Sequence, residues 1–316
     1  AQPTLEAQTN PSVSKSMQLR VLRDVANVVE EVYVYPDYNG KDWKAIKEQY
    51  RSKIEAGLET EAFYQEMKAM IFELGDEHSN FLSPVEVEAE AVELKGENNY
   101  VGVGIYGNYD FEKNSFVVIS TFPGSSAEYA GIQSHDSILQ VDGLPITEEL
   151  GNRLRGPECS AVLAKVQSPG EAPRDVMLMR YRIEGSIPIE ARLVSTTDGS
   201  KIGYIFIPTF FDETIPPQIE AALNEFGQLD GLILDLRLNG GGSSTVTYPI
   251  LEFFTDGKLG QFVSRKRSRA LEIEANPIQN SQTVPLIIMV SEDTVSFGEI
   301  YAGVMQDSER AKIVGE

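Results

Sequence analysis

Apolar positions in the first third of the chain recur at helical spacing. From Met17, the residues Val21, Leu22, Val25, Val28, Val29 and Val32 share a face, with Arg, Asp and Glu between them, and this predicts an amphipathic helix. Two more helical stretches run from about Lys41 to Gly57 and from about Glu61 to Leu74, the second closed by Gly75. Residues 1–15 are polar and aperiodic with two prolines, and read as a flexible tail.

Beyond residue 95 the period shortens. Tyr100–Ile105, Ser115–Thr121, Ser137–Val141 and Val176–Arg182 are short strand-like runs cut by Gly, Pro, Asn and Asp. Ser126–Ala130 predicts a brief helix among them. From residue 186 strands and helices alternate. Gly203–Ile207, Gly231–Leu236 and Val284–Val290 read as strands, the last two apolar enough to be buried on both faces. Pro217–Phe226, Ser244–Phe254 and roughly Glu299–Gln306 read as helices. The chain is therefore expected to be α+β and multi-domain: a tail (1–15), a helical region (16–95), a β module (96–184) and an α/β core (185–316).

Charge and composition narrow the function. Forty-eight Asp and Glu against 27 Lys and Arg leave a net charge of −21. A surface that negative repels phosphate backbones and anionic lipid, so nucleic acid and membrane surfaces are not expected partners. The longest apolar runs fall short of the roughly 18 residues that a membrane span needs. A single cysteine, Cys159, excludes an internal disulfide framework and a Cys-rich zinc site, and reads as a half-buried small side chain. The two histidines, His78 and His135, are too far apart for a local metal motif. They leave little for a Ser-His-Asp triad, so the base of any hydrolase here is expected to be another residue. No metal or cofactor is implied. The chain starts at Ala1 without an apolar signal core, which fits a matured extracytoplasmic protein and equally a trimmed recombinant one.

Two segments hold candidate chemistry. Asp235-Leu236-Arg237-Leu238-Asn239-Gly240-Gly241-Gly242 follows a buried strand. Its three consecutive glycines can turn sharply and expose N–H groups to a ligand. It lacks the Lys-Ser/Thr ending of a phosphate loop. Half of an oxyanion hole and a plain strand-to-helix connection both remain open. In the second segment, Val290 to Ile300, Ser296 stands where a strand and a polar turn lead into a helix. A serine there can present its oxygen beside the next backbone N–H. It can equally cap the helix, with Glu299 completing a capping box.

The ordered set of motifs resembles the carboxyl-terminal-processing proteases, the tail-specific peptidases of family S41. Asp76-Glu77-His78-Ser79 with Phe81-Leu82-Ser83-Pro84 resembles the segment before that family's PDZ domain. Gly102-Val103-Gly104-Ile105, the run Pro123 to Ile132, Asp136 to Gly143, and Arg155-Gly156-Pro157 resemble the PDZ domain itself. Gly203-Tyr204-Ile205 with Phe210, then Gly231 to Gly242 and Pro285 to Asp307, are similar to the protease core.

The resemblance implies a PDZ-like β module on a ClpP/crotonase-like α/β core that is incomplete at its C-terminal end. It makes Ser296 the nucleophile and gives the N–H groups of Phe297 and of Gly241, with Gly242 as the second choice, the oxyanion role. Glu299 would orient the elbow, and Asp235 and Arg237 would hold the glycine loop. Gly102, Val103, Gly104 and Ile105 would capture a peptide's terminal carboxylate as the peptide adds a strand. His78 is then a structural residue, and His135, where the family has glycine, an exposed turn residue. Partners would be peptides or proteins with apolar C-termini. A homo-oligomer stays open, and the location would be periplasmic or secreted.

Three departures stand out. Family members carry their general-base lysine in a T-F-G-K-G segment directly after V-G-E, and this sequence ends at Val314-Gly315-Glu316. Lys312 precedes that motif at a strand position and does not correspond to it. Phe297 stands where the family has a small residue, and Val295 where it has alanine. Residues 1–316 are therefore expected to be inactive alone. The alternative is a non-catalytic PDZ-type peptide-binding protein on an inert protease fold.

Overall fold

The computed structural model describes residues 10–76, 78–110, 113–147 and 152–315. Glu77, Glu316 and residues 1–9 of the expected tail lie outside them. Two compact units emerge, one of residues up to 91 with 260–271, the other of 92–259 with 272–316.

The first unit is built on α1 (Lys15–Val32), α2 (Trp43–Ala56) and α3 (Thr60–Phe72). Ser14 and Asp42 cap the first two by accepting from Met17 N–H and Ala45 N–H. Each helix turns an i, i+4 stripe inward: Leu22, Ala26 and Val29 from α1, Ile46, Tyr50 and Ile54 from α2, Phe63, Met67 and Met70 from α3. Burying each of the larger side chains is worth about 1.5–3 kcal/mol. A later piece of chain joins this unit. In the hairpin of β12 (Gly257–Val263) and β13 (Ser268–Ile273), Arg265 at the tip donates to Tyr38 Oη (2.9 Å) and Tyr35 O (3.0 Å). Its guanidinium also stacks on the Tyr38 ring at 4.6 Å.

Helix α4 (Pro84–Leu94) carries the chain onward. It buries none of its residues, so the sequence offered no stripe to find it by. Ser83 and Glu86 start it with reciprocal bonds: Ser83 N–H to Glu86 Oε2 at 2.8 Å and Glu86 N–H to Ser83 Oγ at 3.4 Å.

The β module of the second unit is an antiparallel sheet in the order β2 (Ile105–Asp110), β3 (Ser115–Thr121), β4 (Ser137–Val141), β6 (Ala161–Gln167), β7 (Arg174–Met179), with β5 (Leu144–Pro145) paired to β4. Val118, Ile138, Val162, Ala164 and Leu178 fill its core together with Ala127 of the short helix α5 (Ser126–Tyr129). Two expected strands are each broken. The Tyr100–Ile105 run divides into β1 (Asn98–Gly102) and β2, because Gly104 turns at φ +83° with Ser125 packed where a side chain would stand. The Val176–Arg182 run divides into β7 and β8 (Tyr181–Gly185). There Arg180 turns inward to donate to Ser160 Oγ (2.9 Å) and Ala161 O (3.0 Å). Strands β1 and β8 pair with each other, antiparallel, from Asn98↔Gly185 to Gly102↔Tyr181.

The α/β core is a five-stranded sheet ordered β15 (Lys312–Gly315), β14 (Leu286–Val290), β11 (Gly231–Asp235), β10 (Ile202–Phe206), β9 (Glu190–Val194). Strands β10, β11, β14 and β15 run parallel, in register Ile202↔Gly231, Leu232↔Leu286 and Ile287↔Lys312, and β9 is antiparallel to β10. Ile205, Leu234 and Ile288 are fully buried, as strands covered on both faces require. The core also carries helices α6 (Ile215–Phe226), α7 (Ser244–Phe254) and α8 (Phe297–Asp307). All four parallel strands end on one side, so the glycine loop after β11 and the turn after β14 emerge together.

Candidate active site

Ser296 is the N-cap of α8, with φ 55° and ψ −121°. L-residues occupy that region only under constraint, at a cost of about 1–3 kcal/mol. The constraint comes from both sides. Behind the serine, the turn closes on itself through Ser291 N–H to Thr294 Oγ1 (3.0 Å) and Thr294 N–H to Ser291 O (3.0 Å). Ahead of it, the Glu299 carboxylate reaches back to accept Ser296 N–H at 2.9 Å. The capping box is therefore present in the same residues that form a strained strand-to-helix elbow, and the two readings of Ser296 are not exclusive.

The elbow is stitched to the glycine loop. Thr294 Oγ1 donates to Leu236 O (2.8 Å), Val295 N–H to Asn239 O (3.2 Å), and the Ser291 hydroxyl to Arg237 O. Buried Asn239 is the hub: its Nδ2 donates to Ile207 O (3.1 Å), and its Oδ1 accepts Gly241 N–H (2.9 Å). Gly241 O takes Phe210 N–H at 2.8 Å. Only glycine fits position 241. A Cβ there, at φ +89°, would lie 2.7 Å from Ser296 Cβ and 3.0 Å from Phe297 N. The structure thus puts Gly241, Ser296 and Phe297 side by side, with Gly242 next along the loop. Phe297 meets the Tyr248 ring edge-on, centroids 6.4 Å apart.

Under the loop lies an ionic knot. Asp235 is fully buried, bound by Arg237 Nη2 (2.7 Å), Arg237 Nε (3.0 Å) and Tyr204 Oη (2.8 Å). Burial alone would raise the Asp235 carboxyl, but the donors of Arg237 and Tyr204 outweigh it and hold the group below 3.8. Burial and the facing Asp235 push the Tyr204 phenol up. Arg237 Nη2 also reaches His135 Nε2 of the β module at 3.4 Å. His135 is therefore a half-buried residue resting on the core, not the exposed turn residue expected. Cys159 departs in the opposite sense, being exposed. His78 is exposed as well, with its N–H on Asp76 Oδ1 (3.0 Å).

The remaining candidates sit at the edge of the β module. Strand β2 is an end strand of its sheet. Phe122 N–H donates to Gly104 O at 3.0 Å and Ile105 lies opposite Thr121. Theirs is thus the non-hydrogen-bonded pairing, and Ile105's own N–H and C=O turn away from β3. That carbonyl accepts the Tyr100 hydroxyl at 3.3 Å. Gly102, Val103 and Gly104 are buried, and Val103 N–H is taken by Leu154 O at 3.2 Å. Further along β2, Tyr106 and Asn108 line a cavity of about 240 Å³ together with Ile119, Phe211 and Gly240–Gly242. Sequence reasoning did not single out Asn239 as the hub, nor Thr294, Ser291 or Tyr106. Their roles depend on partners that are distant in the chain.

Comparison with known proteins gives this arrangement a family. Residues 201–316 match peptidase family S41, 91–149 the PDZ domain, and 20–72 the C1 domain of tricorn protease. The chain is 30% identical to a carboxyl-terminal-processing protease of Picosynechococcus, over 91% of this chain and 69% of that protein. It is 28% identical to one of Synechocystis, over 98% and 72%. For carboxyl-terminal-processing peptidase 3, chloroplastic, of Arabidopsis thaliana the figures are 29%, 94% and 59%. Among solved structures, the photosystem II D1 C-terminal processing protease superposes with a TM-score of 0.61 at 25% identity, over 95% of this chain and 81% of that one. A lipoprotein from Streptococcus agalactiae shares the fold, with a TM-score of 0.52 at 14% identity over 98% and 78%.

Fold and matches together define a serine-type peptidase with N-terminal helices, a PDZ module and an S41 protease core. The chain belongs to the carboxyl-terminal-processing proteases of peptidase family S41.

Proposed function

We propose that the protein captures the C-terminal tail of a polypeptide along β2 and cleaves it through an acyl-enzyme on Ser296. One observation carries this reading: the serine's strained backbone, φ 55° and ψ −121°, at the end of a buried strand and against Gly241. Ser296 Oγ attacks the scissile carbonyl, and the tetrahedral oxyanion accepts from Phe297 N–H and from the glycine loop. Asn239 Oδ1 already engages Gly241 N–H, so Gly242 supplies the loop's donor, and Gly241 provides the close approach. Each such donor is worth about 10²–10³ in rate. Glu299 orients the elbow through the Ser296 N–H. The substrate's last residue pairs with the outward N–H and C=O of Ile105, displacing the Tyr100 hydroxyl. Its carboxylate sits by Gly104, while Gly102 and Val103 shape the turn. From there the chain runs past Tyr106 and Asn108 into the cavity beside Gly240–Gly242.

The base in this family is a lysine, which must be neutral to take the serine's proton and is kept so by burial. Among the described residues no Lys or His is hydrogen-bonded to Ser296. Strand β15 runs parallel to β14 with Gly315 opposite Val290. It therefore ends on the same side of the sheet as the elbow that follows β14. Among the described residues no helix is long and apolar enough to cross a membrane. We infer an extracytoplasmic location, the Arabidopsis relative being named chloroplastic.

The test is hydrolysis of a peptide with an apolar, free C-terminus by a protein that continues past Glu316 with the family's lysine segment. Cleavage is expected, with loss in Ser296→Ala and weaker capture of the C-terminally amidated peptide. Binding without cleavage would sink the enzyme reading and leave a peptide-binding protein on an inert protease fold.

A further inference from the structure

His135 comes from the turn before β4, yet its ring lies against the core, tilted on Phe206 with centroids 5.7 Å apart. Its Nε2 stands 3.4 Å from Arg237 Nη2. A guanidinium only donates, so Nε2 is the acceptor and the ring proton is on Nδ1. The contact exists only in the neutral form, because a second proton would set imidazolium against guanidinium. Arg237 in turn binds Asp235 through Nε and Nη2 at the end of β11, and its carbonyl accepts the Ser291 hydroxyl of the elbow. Two residues further on, Asn239 begins the loop that places Gly241 against Ser296. The β module therefore touches the side chain of a residue whose backbone carbonyl holds the elbow and whose chain leads directly into the glycine loop.

We propose that His135 is a positioning residue: neutral, it clamps the PDZ module onto Arg237 and keeps the glycine loop in place against Ser296, and protonation releases the clamp. This inference rests on the reading of Ser296 as nucleophile. The charged groups facing the ring are Arg237 and Asp235 from the end of β11, Glu190 from β9, and Asp136 from its own turn. Arg174 of β7 faces Asp136 in turn at 3.6 Å. Burial and Arg237 together lower the imidazole below 6.5, although the three carboxylates pull it upward. The clamp is thus complete above 6.5 and is lost as pH falls through the lowered value. His135 also holds φ +72°, where glycine would be the relaxed choice, so a turn serving shape alone gains nothing from histidine.

Two readouts on the lysine-bearing chain test this. The first is the NMR titration of the two histidine rings, with H135Q assigning the signals; His135 is expected below the ordinary value near 6.5. The second is the rate at which a fluorophosphonate labels Ser296 between about pH 5 and 8, the range over which histidine switches, compared among wild type, H135Q and H135G. Glutamine keeps an acceptor near Nε2 but does not titrate. The wild-type to H135Q ratio is expected to fall about tenfold on acidification, a fraction of what one oxyanion donor is worth. H135G should label slowly throughout, despite its relaxed backbone. A constant ratio, or an H135G as fast as wild type above pH 7, overturns the proposal. If Ser296 is never labelled, the nucleophile reading fails by itself, and the titration decides the clamp: a His135 value at or above 6.5 overturns it.

Discussion

Replacing Ser296 with glycine and with alanine separates strain from chemistry at the elbow. At φ 55°, ψ −121°, any residue with a Cβ costs about 1–3 kcal/mol. Alanine keeps the Cβ and the strain. Glycine sheds it, but its freer unfolded chain returns about 0.5–1 kcal/mol. The Gly variant should therefore exceed the Ala variant in local stability by about 0.5–2 kcal/mol, although both lack the nucleophile and neither should cleave. The only tryptophan, Trp43, belongs to the helical unit, so its fluorescence does not report on this core. A chain of two units is also a poor two-state system. Amide exchange in α8 is the suitable assay, with protection expected to rise about two- to thirtyfold in Ser296→Gly over Ser296→Ala. Faster exchange in the Gly variant would show that the backbone at 296 is relaxed, and strain would then not mark Ser296 as a nucleophile.

Other outcomes follow from contacts already described. Gly241→Ala drives a methyl to 2.7 Å from Ser296 Cβ; fluorophosphonate labelling should drop by about 10² or more, and wild-type labelling would refute the close approach. Asp235 has a folded carboxyl below 3.8, so its stabilisation is complete above that value and lost as pH falls through the lowered one. Asp235→Asn should flatten the acid-side loss of amide protection in β11, followed strand by strand, and parallel pH profiles would contradict this. Phe297→Ala removes the ring set against Tyr248; it should raise the ratio of kcat/KM for bulky over small residues beside the scissile bond, and an unchanged ratio would show that the ring does not meet those residues. Arg265→Ala cuts the hairpin tip from Tyr35 and Tyr38. Limited proteolysis between 260 and 271 should quicken, and equal rates would show that the tip is held by other contacts.

What the sequence made legible was set by how local each cause is. Leu22, Ala26 and Val29 announce α1 because one buried stripe is enough to define a helix, and Gly231–Leu236 announces β11 because a strand covered on both faces is apolar throughout. The β12–β13 hairpin has mostly exposed residues, and α4 buries none, so neither leaves a periodic trace. The breaks at Gly104 and Arg180 are imposed by Ser125 and by Ser160 and Ala161, partners no local window contains. The site follows the same rule. Ser296 followed three residues on by Glu299 spells a capping box whether or not the serine reacts. What distinguishes a nucleophile is the φ/ψ of one residue and the approach of Gly241 from another strand's loop, both set by tertiary structure. His135 is the sharpest instance. As a residue in a turn it predicts exposure, and only the packing of the β module on Phe206 and Arg237 turns it into a group whose protonation can reach the active site.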